Sequence, residues 1–263
     1  MILPIEFFNQ YPIWVLGAIF SLAAGLATGL GAVPIFFTRN ISVKWQDIFM
    51  GFGAGIMLAA TSFSLIVPGL DAAGNGVKAA SIMAGGILLG GFFLLFVDKI
   101  IPHEHFIKGH EGADAHALKR VWLFVFAITL HNFPEGLAVG VGFGGGDILN
   151  GITLAIGIGL QNIPEGLIVA LALVVHKYSL KKAFLIALAT GLVEPIGGLL
   201  GAGIVSVFMP LLPWGLAFAA GAMLFVISNE IIPESHRKGF AKQATLGVMV
   251  GFVVMLFLDV VLG

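Results

Sequence analysis

The residues with chemistry to offer cluster in two short stretches, HNFPEG at 131–136 and QNIPEG at 161–166, each inside a long apolar run. His131 and Glu135 are four positions apart and Asn132 and Glu135 three apart, so a helix sets all three on one face. Gln161, Asn162 and Glu165 repeat that spacing. Pro134 and Pro164 lack an amide hydrogen and crowd the carbonyls of Leu130 and Leu160, which are then open to other partners. Gly136 and Gly166 follow and leave room for another backbone. A third carboxylate–proline step, Glu194-Pro195, and the pair Asn229-Glu230 lie further along the chain.

The elements that must position these groups are dictated by composition. Of 263 residues, 59% are hydrophobic and 10% charged, whereas soluble domains average about 45–50% apolar and about 25% charged residues. Lipid is therefore the expected solvent. A net charge of -1 gives no pull toward nucleic acid. The absence of cysteine excludes disulfides and thiolate metal sites and leaves the redox compartment open. No basic n-region or small-residue cleavage site precedes the first apolar run, which reads as a transmembrane segment and not a cleaved signal.

Apolar runs long enough to cross a bilayer recur at about 12–37, 46–70, 79–101, 119–143, 148–175, 183–209, 213–234 and 243–262. Backbone groups in lipid must be satisfied internally, so these are helices. The expected fold is an all-α integral membrane protein, one polytopic domain of eight transmembrane helices numbered here as spans 1–8. A loop at about 102–118 carries His103, His105, His110 and His116 with several acids, and reads either as a loose metal-binding tract or as a solvated loop. Arg39 and Lys44, then Lys99, Lys108, Lys119 and Arg120, then Lys177, Lys181 and Lys182, then Arg237, Lys238 and Lys242 all fall at one end of the bundle, and only Lys78 at the other. The positive-inside rule makes the basic end cytoplasmic and puts both termini on the non-cytoplasmic side.

The spans repeat. AGIMLAATS (54–62) in span 2 matches AGAMLFVIS (220–228) in span 7, and GGFFLLFVD (90–98) in span 3 matches GFVVMLFLD (251–259) in span 8. TGLGAVP (28–34) in span 1 is paired with TGLVEP (190–195) in span 6, and spans 4 and 5 carry the two central motifs. Paired spans run in opposite directions, which gives a 3+2+3 inverted-repeat bundle. Such repeats with interrupted helices point to a secondary transporter and its midplane site. Asp98 and Asp259 lie at span ends and read as interfacial.

A carboxylate at the bilayer centre costs about 2.5–3.5 kcal/mol on insertion scales, so several together need a bound cation or proton. Carboxylates, amide oxygens and one imidazole suit a divalent first-row metal such as zinc, iron or manganese. A single intramembrane Glu is also compatible with a protonated helix–helix hydrogen bond, and Glu230, about a turn from the basic end, with a snorkelling role. An intramembrane metal-dependent enzyme and a proton-coupled carrier of an organic ion stand as rivals. The placement of ligands on repeat partners favours transport over the first, and the lack of midplane Lys or Arg counts against the second.

The paired HNFPEG and QNIPEG resemble those of the ZIP (Zrt/Irt-like) metal transporters, across all eight spans. The Gln that opens the second motif and the short chain are similar to the bacterial GufA-like branch. The resemblance implies no enzyme activity and no cofactor. It implies uptake of divalent metal into the cytoplasm across the cell membrane, chiefly zinc and also cadmium, iron or manganese, by alternating access through a binuclear site, with a homodimer as assembly. One metal would take His131, Glu135, Gln161 and Glu165. The second would take Asn132, Glu135, Asn162, Glu165 and Glu194, with both central glutamates bridging. Some relatives carry an acid at the Asn162 position, so the second site here holds less charge. Met57 matches a position that approaches the metal, Ser64 and Asp71 resemble the outer entrance, and Glu230 with His236 resembles the cytoplasmic exit.

Overall fold

The computed structural model describes residues 5–38, 41–100, 103–105, 109–111 and 120–262. Within them, eight helical spans are long and apolar enough to cross a membrane: Ile13–Phe36, Val43–Ala73, Gly76–Ile100, Phe124–Gly144, Ile148–Val175, Leu180–Val207, Met209–His236 and Ala241–Leu262. Large apolar side chains such as Phe92, Leu199, Val253 and Phe257 are exposed on the outside of the bundle, as lipid contact requires. Of the histidine-bearing loop, only a two-stranded antiparallel hairpin is described, with His103 opposite Glu111 and His105 opposite Gly109. The remainder of the expected 102–118 loop, His116 included, lies outside the described residues.

The spans pack in two groups. Span 1 lies along spans 4, 5 and 6, and span 4 along spans 5 and 6, while span 2 packs on span 8 and span 3 on span 7. The groups meet chiefly where span 2 crosses span 5 and span 7 crosses span 4. Exchanging 1 with 6, 2 with 7, 3 with 8 and 4 with 5 leaves this pattern of neighbours unchanged. The inverted repeat is thus a property of the packing as well as of the sequence.

Close packing corrects the repeat in one place. A Cβ on Gly166 would fall on the carbonyl of Thr28, and one on Gly136 on the carbonyl of Glu194. Likewise Gly31 seats against the carbonyl of Ile163 and Gly197 against that of Phe133. Span 1 therefore matches span 6 as Thr28 with Glu194 and Gly31 with Gly197, the same spacing that relates Met57 to Met223. The Thr-Gly-Leu and Pro identities had set Thr28 beside Thr190, one turn out of register.

Helix irregularities sit at related places. Pro134 and Pro164 lie inside helices that continue through them. The interruption falls in span 6 instead, where one helix ends at Gly191 and the next begins at Glu194, with Pro195 in its first turn. Spans 2 and 7 each contain a π-helical stretch, Ala60–Ile66 and Ile227–Ile231, followed by a helix with Pro68 or Pro233 near its start. A π turn has no side-chain signature comparable to a proline, and such turns gather at functional places.

Candidate metal centre

The central residues come together where spans 4, 5 and 6 cross span 1. Asn132, Glu135, Gln161, Asn162 and Glu194 are each at most 2% exposed, His131 is buried, and Glu165 is half-buried. Glu194 sits in the first turn of the second half of span 6, where the helix dipole favours a carboxylate. The carboxylates of Glu135, Glu165 and Glu194 lie within electrostatic reach of one another. Gly136 and Gly166 let the helices that carry them press directly on spans 6 and 1.

The hydrogen bonds leave an excess of acceptors. Gln161 Nε2 donates to Glu165 Oε2 at 2.5 Å, and Asn162 Nδ2 donates to Glu194 Oε1 at 2.6 Å and to the Ala24 carbonyl at 2.8 Å. Both oxygens of Glu135, Asn132 Oδ1, Gln161 Oε1, Asn162 Oδ1, Glu165 Oε1 and Glu194 Oε2 are buried without a hydrogen-bond partner among the described residues. Each such orphan costs about 1–3 kcal/mol. Acceptors that converge in surplus are what a cation satisfies. Among the described residues no three His, Asp or Glu side chains stand close enough to hold an ion unaided, so an ion bound here would need the amide oxygens between them as well.

A cavity of about 50 Å³ reaches this cluster from the basic end of the bundle. His131, Gln161, Pro164 and Glu165 line it on one side, with Phe49, Met50 and Gly53 of span 2 and Ile231 of span 7 on the other. A volume near 50 Å³ exceeds the roughly 10–15 Å³ that a cavity needs to admit a water. Met57 is fully buried one turn beyond Gly53 on the same face of span 2.

Beyond the cluster, His131 Nε2 contacts the carboxylate of Glu230, which the π turn of span 7 carries. A second small cavity is lined by His131, Glu230 and Asp98. Asp98 thus faces inward, contrary to an interfacial role. His236 does not extend this line: its Nε2 meets Thr245 Oγ1 of span 8 at 3.0 Å. Toward the opposite end, Ser64 Oγ donates to Asp259 Oδ1 at 2.7 Å, and Asn150 Nδ2 donates to the Ser64 carbonyl at 3.1 Å. Asp259, read as interfacial, therefore belongs with Ser64. Its match to Asp98 in the repeat was the available signal. Asp71 is exposed at the end of span 2, away from the crossing.

The family profile described as "ZIP Zinc transporter" matches residues 102–259. The chain belongs to the ZIP family. It is 51% identical over 251 residues to the zinc transporter GufA of Myxococcus xanthus, covering 94% of this chain and 99% of that one. It is 50% identical over 251 residues to the zinc transporter ZIPB of Bordetella bronchiseptica, covering 94% of this chain and 81% of that one. A human relative, zinc transporter ZIP11, is 32% identical over 90% of this ZIP chain and 94% of its own length. The eight spans and two motifs of this chain are thus those of a ZIP transporter, and no enzyme is among these relatives.

Proposed function

We propose that this ZIP protein carries divalent metal, zinc foremost, across a cell membrane into the cytoplasm. The observation that carries the reading is the set of buried acceptor oxygens on Asn132, Glu135, Gln161, Asn162, Glu165 and Glu194, which outnumber the donors around them. Zinc is the cargo in the names of relatives at 50% and 51% identity. His131 adds an imidazole and Met57 a thioether to one side of the cluster, donors that zinc and cadmium accept. The other side, with Asn132, Asn162 and Glu194, is all oxygen and suits iron or manganese as well.

The route follows from the two ends. With the basic end cytoplasmic, metal enters past Asp71, Ser64 and Asp259, binds between spans 4 and 5 and leaves through His131, Glu230 and Asp98. With that orientation, the cavity on the basic side of Glu165 supports the reading of an inward-facing arrangement. Spans 1, 4, 5 and 6 carry nearly all of the donors, and spans 2, 3, 7 and 8 form the frame against which they shift. Exchange of the two repeat conformations then exposes the site to alternate sides. The resemblance to the family supports a binuclear site and a homodimer.

The test is zinc flux into liposomes that hold the purified protein. Uptake above that of protein-free liposomes supports the reading, and its absence contradicts it.

A further inference from the structure

Thr28 is fully buried in span 1, and its hydroxyl has no hydrogen-bond partner among the described residues. Thr153 of span 5 is the other buried helical hydroxyl without a partner among the described residues, whereas most of the rest bond within their own helix. Thr61, Ser62, Thr129 and Thr245 each donate to the carbonyl four residues earlier, at 2.7–2.9 Å, the usual resting bond of a hydroxyl within a helix. For Thr28 that carbonyl is Ala24 O, and Asn162 Nδ2 is bonded to it instead. The same amide nitrogen holds Glu194 Oε1.

The position is as informative as the missing bond. In the corrected register Thr28 is the repeat counterpart of Glu194. It faces the interruption of span 6: a Cβ on Gly191 would stand 2.6 Å from Thr28 Oγ1. One turn earlier on the same face, a Cβ on Gly25 would stand 3.4 Å from Glu194 Oε1. The Thr28 hydroxyl, the Asn162 amide and the Glu194 carboxylate therefore all lie in the buried seam where spans 1, 5 and 6 meet.

We propose that Thr28 Oγ1 is an oxygen donor to the metal on the Asn162–Glu194 side of the site. Asn162 occupies the carbonyl that would otherwise retain the hydroxyl, and its own oxygen has no partner. A neutral hydroxyl added to a neutral amide and one carboxylate gives that side a hard, weakly charged oxygen set. The inference rests on the transport reading above and adds a residue to it.

Thr28→Val keeps the shape and removes the hydroxyl. If the hydroxyl serves only the fold, losing a buried orphan leaves the metal-free protein as stable or more so, and transport is unchanged. If it serves the metal, the metal-free protein is again as stable or more so, but the KM for zinc uptake into proteoliposomes rises by roughly tenfold, the lower end of the cost of losing a supporting group at a metal. Thr28→Ser, which restores the oxygen, returns KM toward the wild-type value. The result that overturns the proposal is wild-type KM in Thr28→Val, or a KM loss accompanied by a lower melting temperature without metal that Thr28→Ser does not repair. If the wild type itself moves no zinc, the transport reading falls first and this one with it, an outcome distinct from a silent Thr28→Val in an active wild type.

Discussion

His131 Nε2 meets the carboxylate of Glu230, so a helix of the first packing group and the π turn of the second touch through one acid–imidazole pair. His131 also lines the cavity that holds Gln161 and Glu165. One imidazole therefore belongs to the central cluster and to the line of acids that leads away from it. A metal leaving the cluster toward the basic end has Glu230 as its next carboxylate and Asp98 beyond.

Glu230→Gln removes that next charge while leaving the central donors in place. The maximal rate of zinc uptake falls by roughly 10–100-fold, the range seen when a group supporting a metal ligand is lost. Zinc affinity of the purified protein, measured by calorimetry, changes far less than the rate.

At the other end, Ser64 and Asp259 form the corresponding pair, since Ser64 is related to Glu230 as Met57 is to Met223. A hydrogen bond to a charged group contributes about 1.5–3 kcal/mol. Asp259→Asn raises the KM for uptake by about an order of magnitude, with a maximal rate near that of the wild type. Initial-rate measurements over a range of external zinc separate the two parameters.

The glycines of the two motifs are points of backbone contact. Gly136→Ala and Gly166→Ala each push a methyl onto the carbonyl of Glu194 or Thr28 and cost about 1–3 kcal/mol, as overpacking does. Both variants melt at lower temperature in detergent. Gly203→Ala, whose Cβ would meet nothing within 4 Å, melts at or above the wild-type temperature.

Orientation is open to direct labelling because the chain has no cysteine. Lys181 and Asn75 are exposed at opposite ends of the bundle. Lys181→Cys reacts with a membrane-impermeant maleimide in inside-out vesicles, and Asn75→Cys reacts from outside intact cells. The reverse pattern would place the basic end outside and turn the direction of transport around.

Much of this architecture was readable because lipid imposes it. Eight apolar runs and no alternative backbone geometry in hydrocarbon leave an eight-helix bundle. The motif pair placed His131, Asn132 and Glu135 on one helical face and Gln161, Asn162 and Glu165 on another through spacing alone. What escaped the sequence depended on contacts across the chain or on backbone choices without a side-chain marker. Ser64 and Asp259 are 195 positions apart. The π turns at Ala60–Ile66 and Ile227–Ile231 look like ordinary apolar helix. The register of span 1 on span 6 was misdirected by Thr, Gly, Leu and Pro identities, whereas the packing of Gly136 and Gly166 sets Thr28 against Glu194. Proline alone was a poor guide to interruption, because the helices run through Pro134 and Pro164 and break before Pro195.

The central claim is that Glu135 and Glu165 hold the metal in transit, and zinc uptake into proteoliposomes by Glu135→Ala and Glu165→Ala tests it most directly. The account predicts that each variant remains folded, by melting temperature and monodisperse elution, and takes up zinc no faster than protein-free liposomes. Folded variants that transport at the wild-type rate would contradict it and make both glutamates structural.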